Sequence, residues 1–254
     1  MTTITLAETP LLHAILARAD DALVLAHRLS EWCGHAPMLE EDLALANIAL
    51  DLLGQARALY QHAAEVEGAG RSEDDLAYLR DAPQFRNALF CELPRGDFAE
   101  TISRIFLFSA AMQPWWKAAM GSTDSTLAAI AAKAEKEVTY HLRHSGEWLI
   151  RLGDGTDESH ARSATALANL WPYTGELFDP GDAALVAAGV IPDAPALRPA
   201  FEATLARVLD RATLARPPDG WMQRGGRRGV HTEHLGHMLA VMQHLQRAYP
   251  GATW

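Results

Sequence analysis

Apolar residues recur at intervals of three and four along most of the chain, and alternating runs of β-branched and aromatic residues are scarce, which predicts an all-α protein. Thr9 and Pro10 signal the start of a first helix that carries Leu12, Leu16, Ala19, Leu23 and Ala26 on one face and breaks at 34–37. A second helix begins almost at once, with Leu39, Leu43, Ala46, Leu50, Leu53 and Tyr60 as its stripe. It runs to the turn at 68–70, so the two are long antiparallel neighbours. Short helices are expected at 73–80 and 84–91, closed by Pro94 and Gly96. Asp97 caps a third long helix over 98–120, in which Pro114 predicts a kink or an early end. A fourth long helix over 125–152 stops at Gly153-Asp154-Gly155, and a shorter one covers 158–170. The stretch 172–199, rich in Pro, Gly and Asp, is a connection with brief helical pieces. Helices over 200–215 and 232–248 flank a loop at 216–230, with Pro250 and Gly251 as the final stop.

Composition narrows the class. The 254 residues are 49% hydrophobic, enough for one elaborated bundle spanning 1–254 as a single domain. A net charge of -10 lacks the electrostatic footprint of a nucleic-acid binder. No apolar run approaches the roughly 18 residues that would span a bilayer, and the first ten residues lack the basic start and apolar stretch of a secretory signal. Cys33 and Cys91 are too few for a disulfide framework and are expected as buried or half-buried thiols, which fits a cytoplasmic location.

Four long helices bearing carboxylates and histidines suggest a ferritin-like bundle, in which two Glu and two Glu-x-x-His pairs hold two metal ions. Residues three apart share a helix face, so such a Glu and His reach one metal pair together. No Glu of this chain has a His three positions later; only Asp157 precedes His160 in this way, just after a turn, where capping and solvation are expected. The long helices carry other polar sets instead: His27 and Glu31; Asn47, Asp51 and Gln55; Glu137 and His141; and, at the last helix, His231, Glu233, His234 and His237. One reading is an unusual metal site using Glu137 and His141. The other, favoured by the spacing, is a hydrogen-bonded network in which Arg57, Lys133, Lys136 and Arg143 partner the acids. There is no nucleophile elbow, phosphate loop or dinucleotide fingerprint. The main basic run, Arg224-Gly225-Gly226-Arg227-Arg228-Gly229, suits phosphate or carboxylate groups or an acidic protein surface. Trp115-Trp116 and Trp171 with Tyr173 are expected as core or interface anchors.

Several segments together carry a family resemblance. Glu31-Trp32-Cys33-Gly34-His35-Ala36-Pro37, then Asp42 through Asn47-Ile48 and Leu50-Asp51-Leu52-Leu53-Gly54-Gln55-Ala56-Arg57, resemble the C subunits of ring-1,2-phenylacetyl-CoA epoxidases. Agreement continues at Arg80-Asp81, Gln84-Phe85 and Asn87, at Tyr140-His141-Leu142-Arg143, at Arg151-Leu152-Gly153, and at His231-Thr232-Glu233-His234-Leu235-Gly236, so that it spans nearly the whole chain. The resemblance implies a ferritin-like fold and a noncatalytic, structural part in a multicomponent monooxygenase that epoxidises phenylacetyl-CoA in aerobic phenylacetate breakdown. It implies no cofactor on this chain: a catalytic A subunit holds the di-iron site, a reductase with FAD and an iron-sulfur cluster feeds it electrons, and a further B component joins the assembly. Glu31, Asp51, Glu137 and His141 are then degenerate metal-site positions that form a polar network. Gln84, Phe85, Arg86 and Asn87 match a segment that meets the coenzyme A portion of the substrate, with Arg86 standing where a small polar residue is usual. The rival readings are a self-sufficient di-metal ferritin-like oxygenase, separated by metal content, and a helical binding module unconnected with oxygenation, separated by copurification.

Overall fold

The computed structural model describes residues 3–252, so the extreme ends of the expected 1–254 domain lie outside the described residues. Among the described residues there are helices and turns but no strand. The helices are α1 (Pro10–Ser30), α2 (Leu39–Glu67), α3 (Glu73–Tyr78), α4 (Leu89–Glu92), α5 (Phe98–Ala119), α6 (Ser125–Gly153), α7 (Asp157–Leu170), α8 (Ala183–Ala187), α9 (Arg198–Arg211), α10 (Glu233–Met242) and α11 (His244–Ala248). The long helices α1, α2, α5 and α6 form the bundle: α1 lies along α2, α5 along α6, and α2 closes against α6, while α7 and α9 cover α5. This is the ferritin-like helix-bundle class that the sequence pattern predicts.

The ends of these helices are set by local chemistry. Thr9 accepts from the Leu12 N–H, Asp97 from Glu100 N–H at 2.9 Å, and Asp124 from both Thr126 and Leu127 N–H at 3.0 Å, satisfying donors that the first helical turn leaves free. Thr156, not Asp157, caps α7, in a reciprocal box with Ser159. Gly68 ends α2 in the left-handed region at φ 67°, which costs a glycine nothing.

The face predicted for α1 is buried throughout, from Leu12 to Ala26. Most of the stripe predicted for α2 is not on its core face, Tyr60 excepted. Leu39, Leu43 and Leu50 are 72%, 57% and 63% exposed, and the core side is Leu45, Ile48, Ala49, Leu52, Ala56, Leu59 and Tyr60. Helix α2 is apolar on two faces, and periodicity alone does not say which one meets α1. Helix α5 passes through Pro114 to Ala119 without ending: it is buried on nearly every side from Ala99 to Met112, and packing against α6, α7 and α9 offsets the lost backbone bond, a cost of about 3 kcal/mol. The segment expected as one helix at 84–91 is instead a 3₁₀ turn (Ala82–Gln84), an extended stretch and the single turn of α4, because its backbone N–H groups are taken by buried carboxylates. The C-terminal helix breaks at Gln243, whose buried amide donates to the carbonyls of Ala77 and Arg80. Cys91 is buried as expected, but Cys33 is exposed in the turn after α1. One hydrophobic cluster extends from Leu6 to Leu239, and no helix is long and apolar enough to cross a membrane.

Candidate functional site

Asp51 and Gln55 project from α2, and Glu137 and His141 from α6, each pair one turn apart, so that the two helices meet through their side chains. His141 Nε2 lies 2.9 Å from Asp51 Oδ2, and the Gln55 amide donates to Glu137 Oε2 at 3.0 Å. Lys133 Nζ stands 3.5 Å from the other Glu137 oxygen. One turn further, His144 Nε2 is 3.0 Å from Glu41 Oε2, and Tyr140 stacks on the His144 ring. Asp51, Glu137 and His141 thus lie together on the two facing helices. The predicted fourth member, Glu31, is at the exposed end of α1, bound to Arg28 at 2.7 Å. The expected cationic partners differ as well. Arg57 pairs with Glu73, Arg143 lies over the Tyr140 ring, and only Lys133 reaches one of these acids. Neutral or titratable partners, His141 and Gln55, take the places expected for arginine and lysine because they sit directly across the α2–α6 seam.

This donor set does not fit a di-metal centre. Gln55 and Lys133 occupy the oxygens of Glu137, Asp51 is 38% exposed, and among the described residues no three His, Cys, Asp or Glu side chains come together in a group able to hold a metal ion.

A denser polar cluster lies elsewhere, built on two adjacent aspartates in the middle of α1. Asp20 is fully buried and accepts from the Tyr60 hydroxyl at 2.6 Å, from both terminal nitrogens of the fully buried Arg80, and from the backbone N–H of Arg86 at 2.7 Å. Burial, then the Asp20 charge, pushes the Tyr60 hydroxyl well above its ordinary pKa, so it stays a donor. Asp21 accepts from Ala88 N–H at 2.8 Å and, through both oxygens, from Arg227 at 2.9 and 2.8 Å. Glu92 accepts from Asn87, from His231 Nδ1 at 2.8 Å, and from both the N–H and the hydroxyl of Thr232. Glu176 bridges Leu89 N–H and Gly225 N–H. These carboxylates pin 80–92 and 224–232 onto the bundle. Sequence reasoning missed them; the signal was the pair Asp20-Asp21 inside a helix whose other face is apolar, since an acid there survives only with a partner.

The segment matched to coenzyme contact is largely spent on this scaffold. Phe85 is fully buried beneath the Arg80 guanidinium, 4.1 Å from its ring centroid, and Asn87 is fully buried against Glu92. The Gln84 amide donates to the Ile4 carbonyl at 2.6 Å. Arg86 alone reaches an open cavity, while its guanidinium also donates to the Pro83 carbonyl at 2.7 Å. Trp115, Trp116 and Trp171 are core residues, and of the anchors named by the sequence half-buried Tyr173 keeps the most surface.

A family described as "Phenylacetic acid catabolic protein" matches residues 2–254. The chain is 51% identical over 241 residues to the C subunit of the 1,2-phenylacetyl-CoA epoxidase of Escherichia coli (strain K12), an alignment that covers 94% of this chain and 97% of that protein. A match of that length, on an all-helical bundle whose central seam is closed by hydrogen bonds, makes the chain a member of the phenylacetic acid catabolic protein family.

Proposed function

We propose that the chain is the noncatalytic structural subunit of a multicomponent phenylacetyl-CoA ring epoxidase, built as one domain and holding a di-iron catalytic subunit in its active shape. The observation that carries this reading is the α2–α6 seam, where Asp51, Gln55, Glu137 and His141 satisfy one another across the positions at which a metal-binding bundle would place its ligands. A bundle that keeps its architecture and closes its centre with hydrogen bonds is suited to support a neighbour. The identity to an epoxidase C subunit supports the same assignment, and the continuous core from Leu6 to Leu239 supports a single domain. In this reading phenylacetyl-CoA, the B component and the reductase with its FAD and iron-sulfur cluster meet the catalytic subunit in the cytoplasm, and electrons do not pass through this chain.

The exposed ridge Leu39, Leu43 and Leu50 on α2, with Tyr140, Lys136 and Arg143 exposed on the adjoining α6, supports this region as the contact with the catalytic subunit: a central apolar strip with a charged rim. The loop at 224–229, a candidate in the sequence, is less suited because Gly225 and Gly226 are buried against the chain itself. Coexpression with the catalytic subunit followed by size-exclusion chromatography tests the reading. Wild type elutes with its partner, and Leu43→Asp combined with Leu50→Asp elutes alone with an unchanged melting temperature. Elution of the wild-type chain alone at micromolar concentration rejects the structural role.

A further inference from the structure

A cavity of about 700 Å³ opens between the start of α1, the end of α5 and the loops around residues 180, 192 and 226. We propose that it binds a multivalent organic phosphate of about nucleotide size. The inference stands on the cavity itself and does not depend on the structural-subunit reading.

Its wall carries Arg18, Arg86, Arg224, Arg227 and Arg228, an unusual concentration in a chain of net charge -10. The carboxylates that share the cavity are already taken. Glu176 accepts from two backbone N–H groups, Asp179 holds Arg224, Asp182 caps α8, and Glu8 faces His13 at 2.8 Å. The cations are less well matched. Arg18 and Arg227 share the single carboxylate of Asp21, at 3.3 and 2.8 Å, and neither Arg86 nor Arg228 has a carboxylate partner among the described residues. Burial first, and then the Arg227 charge, push Arg18 down to about 10. The buried Nε–H of Arg227 finds no acceptor in the protein, and a buried donor of that kind calls for one from outside.

The cationic loop is held in place before any ligand arrives. A Cβ at Gly226 would fall 2.1 Å from the Asn87 carbonyl oxygen, and Gly229, at φ 76°, lies as close to that of Pro83, so the loop sits where only glycine fits. Opposite it, Trp115, Ile191 and Pro192 give an apolar wall. Planar guanidinium forks match phosphate oxygens, and Arg86 and Arg228, which have no carboxylate partner, beside Arg18 and Arg227, which share one, offer several forks that a di- or polyanion fills better than a monocarboxylate. The apolar wall and the volume fit an organic body attached to it.

Isothermal titration of the purified chain with ADP, and in parallel with inorganic pyrophosphate, tests the proposal. ADP is expected to bind once per chain, more tightly than pyrophosphate, and more weakly as salt rises. Arg228→Gln, which removes an exposed side chain without a carboxylate partner, is expected to weaken ADP at least about tenfold while leaving the melting temperature unchanged, and Arg86→Gln to act in the same direction. Absence of ADP binding at millimolar concentration overturns the site, as does binding that neither variant weakens. Equal affinity for pyrophosphate and ADP overturns the organic part of the assignment.

Discussion

Two polar regions inside the same bundle are built on opposite principles. At the α2–α6 seam each acid has one or two partners, the partners are His, Gln and a mostly exposed Lys, and Asp51 is open to solvent on one side. At the middle of α1, Asp20 and Asp21 are buried, each saturated by an arginine and by backbone N–H groups from the segment at 86–88. The first region joins two helices through a few half-exposed contacts and holds little. The second has no counterpart in the expected site and fixes the irregular half of the fold. A seam between two regular helices therefore needs only a few polar contacts, whereas a loop-rich segment without its own periodic core is held by buried charge paired with arginines and backbone N–H groups.

Substitutions grade this contrast. Asp20→Ala strands the Arg80 guanidinium in the core and is expected to cost about 3–5 kcal/mol in urea unfolding, with the double variant Asp20→Leu, Arg80→Met recovering most of the loss. If the single variant is only slightly destabilised, the α1 cluster does not hold the fold as argued. Glu92→Gln removes the charge that accepts from His231 and Thr232, and the expected loss is about 1.5–3 kcal/mol. It should also raise amide exchange at 231–235. Asp51→Ala at the seam is expected to cost about 1 kcal/mol or less, as for a half-exposed pair; a loss matching that of Asp20→Ala would erase the difference between the regions.

The smallest effect is that of pH at His27. Burial, outweighing the nearby Glu31, holds its pKa below the ordinary 6.5. The unfolded chain thus takes up a proton that the folded chain resists, and stability is full above 6.5 and declines as pH falls through that value. A denaturation series from pH 8 to 5 should show this decline shallower in His27→Gln, and an unchanged slope rejects the assignment.

The bundle was legible because α1, α5 and α6 each place one continuous signal in sequence, with Thr9 and Asp97 marking the starts of α1 and α5. The core face of α2 was not, since Leu39, Leu43 and Leu50 obey the same spacing as the buried residues and hydrophobicity does not distinguish a core from an outward-facing ridge. Asp51 with Gln55, and Glu137 with His141, were legible as same-face pairs because residues four apart share one helix face. Their partners were not, because the rotation of α2 against α6 is a tertiary property. The clamp of Asp20, Asp21, Glu92 and Glu176 joins residues up to 206 apart in sequence, and no local pattern encodes such pairs.

The central claim is that this bundle supports iron chemistry without performing it. Iron quantified per chain in the coexpressed complex, for wild type and for Asp51→Asn with His141→Ala, tests it most directly. The account predicts iron in proportion to the catalytic subunit only, unchanged by the double substitution, and none retained by this chain purified alone. Stoichiometric iron on the isolated chain, lost on substituting Asp51 and His141, would contradict it.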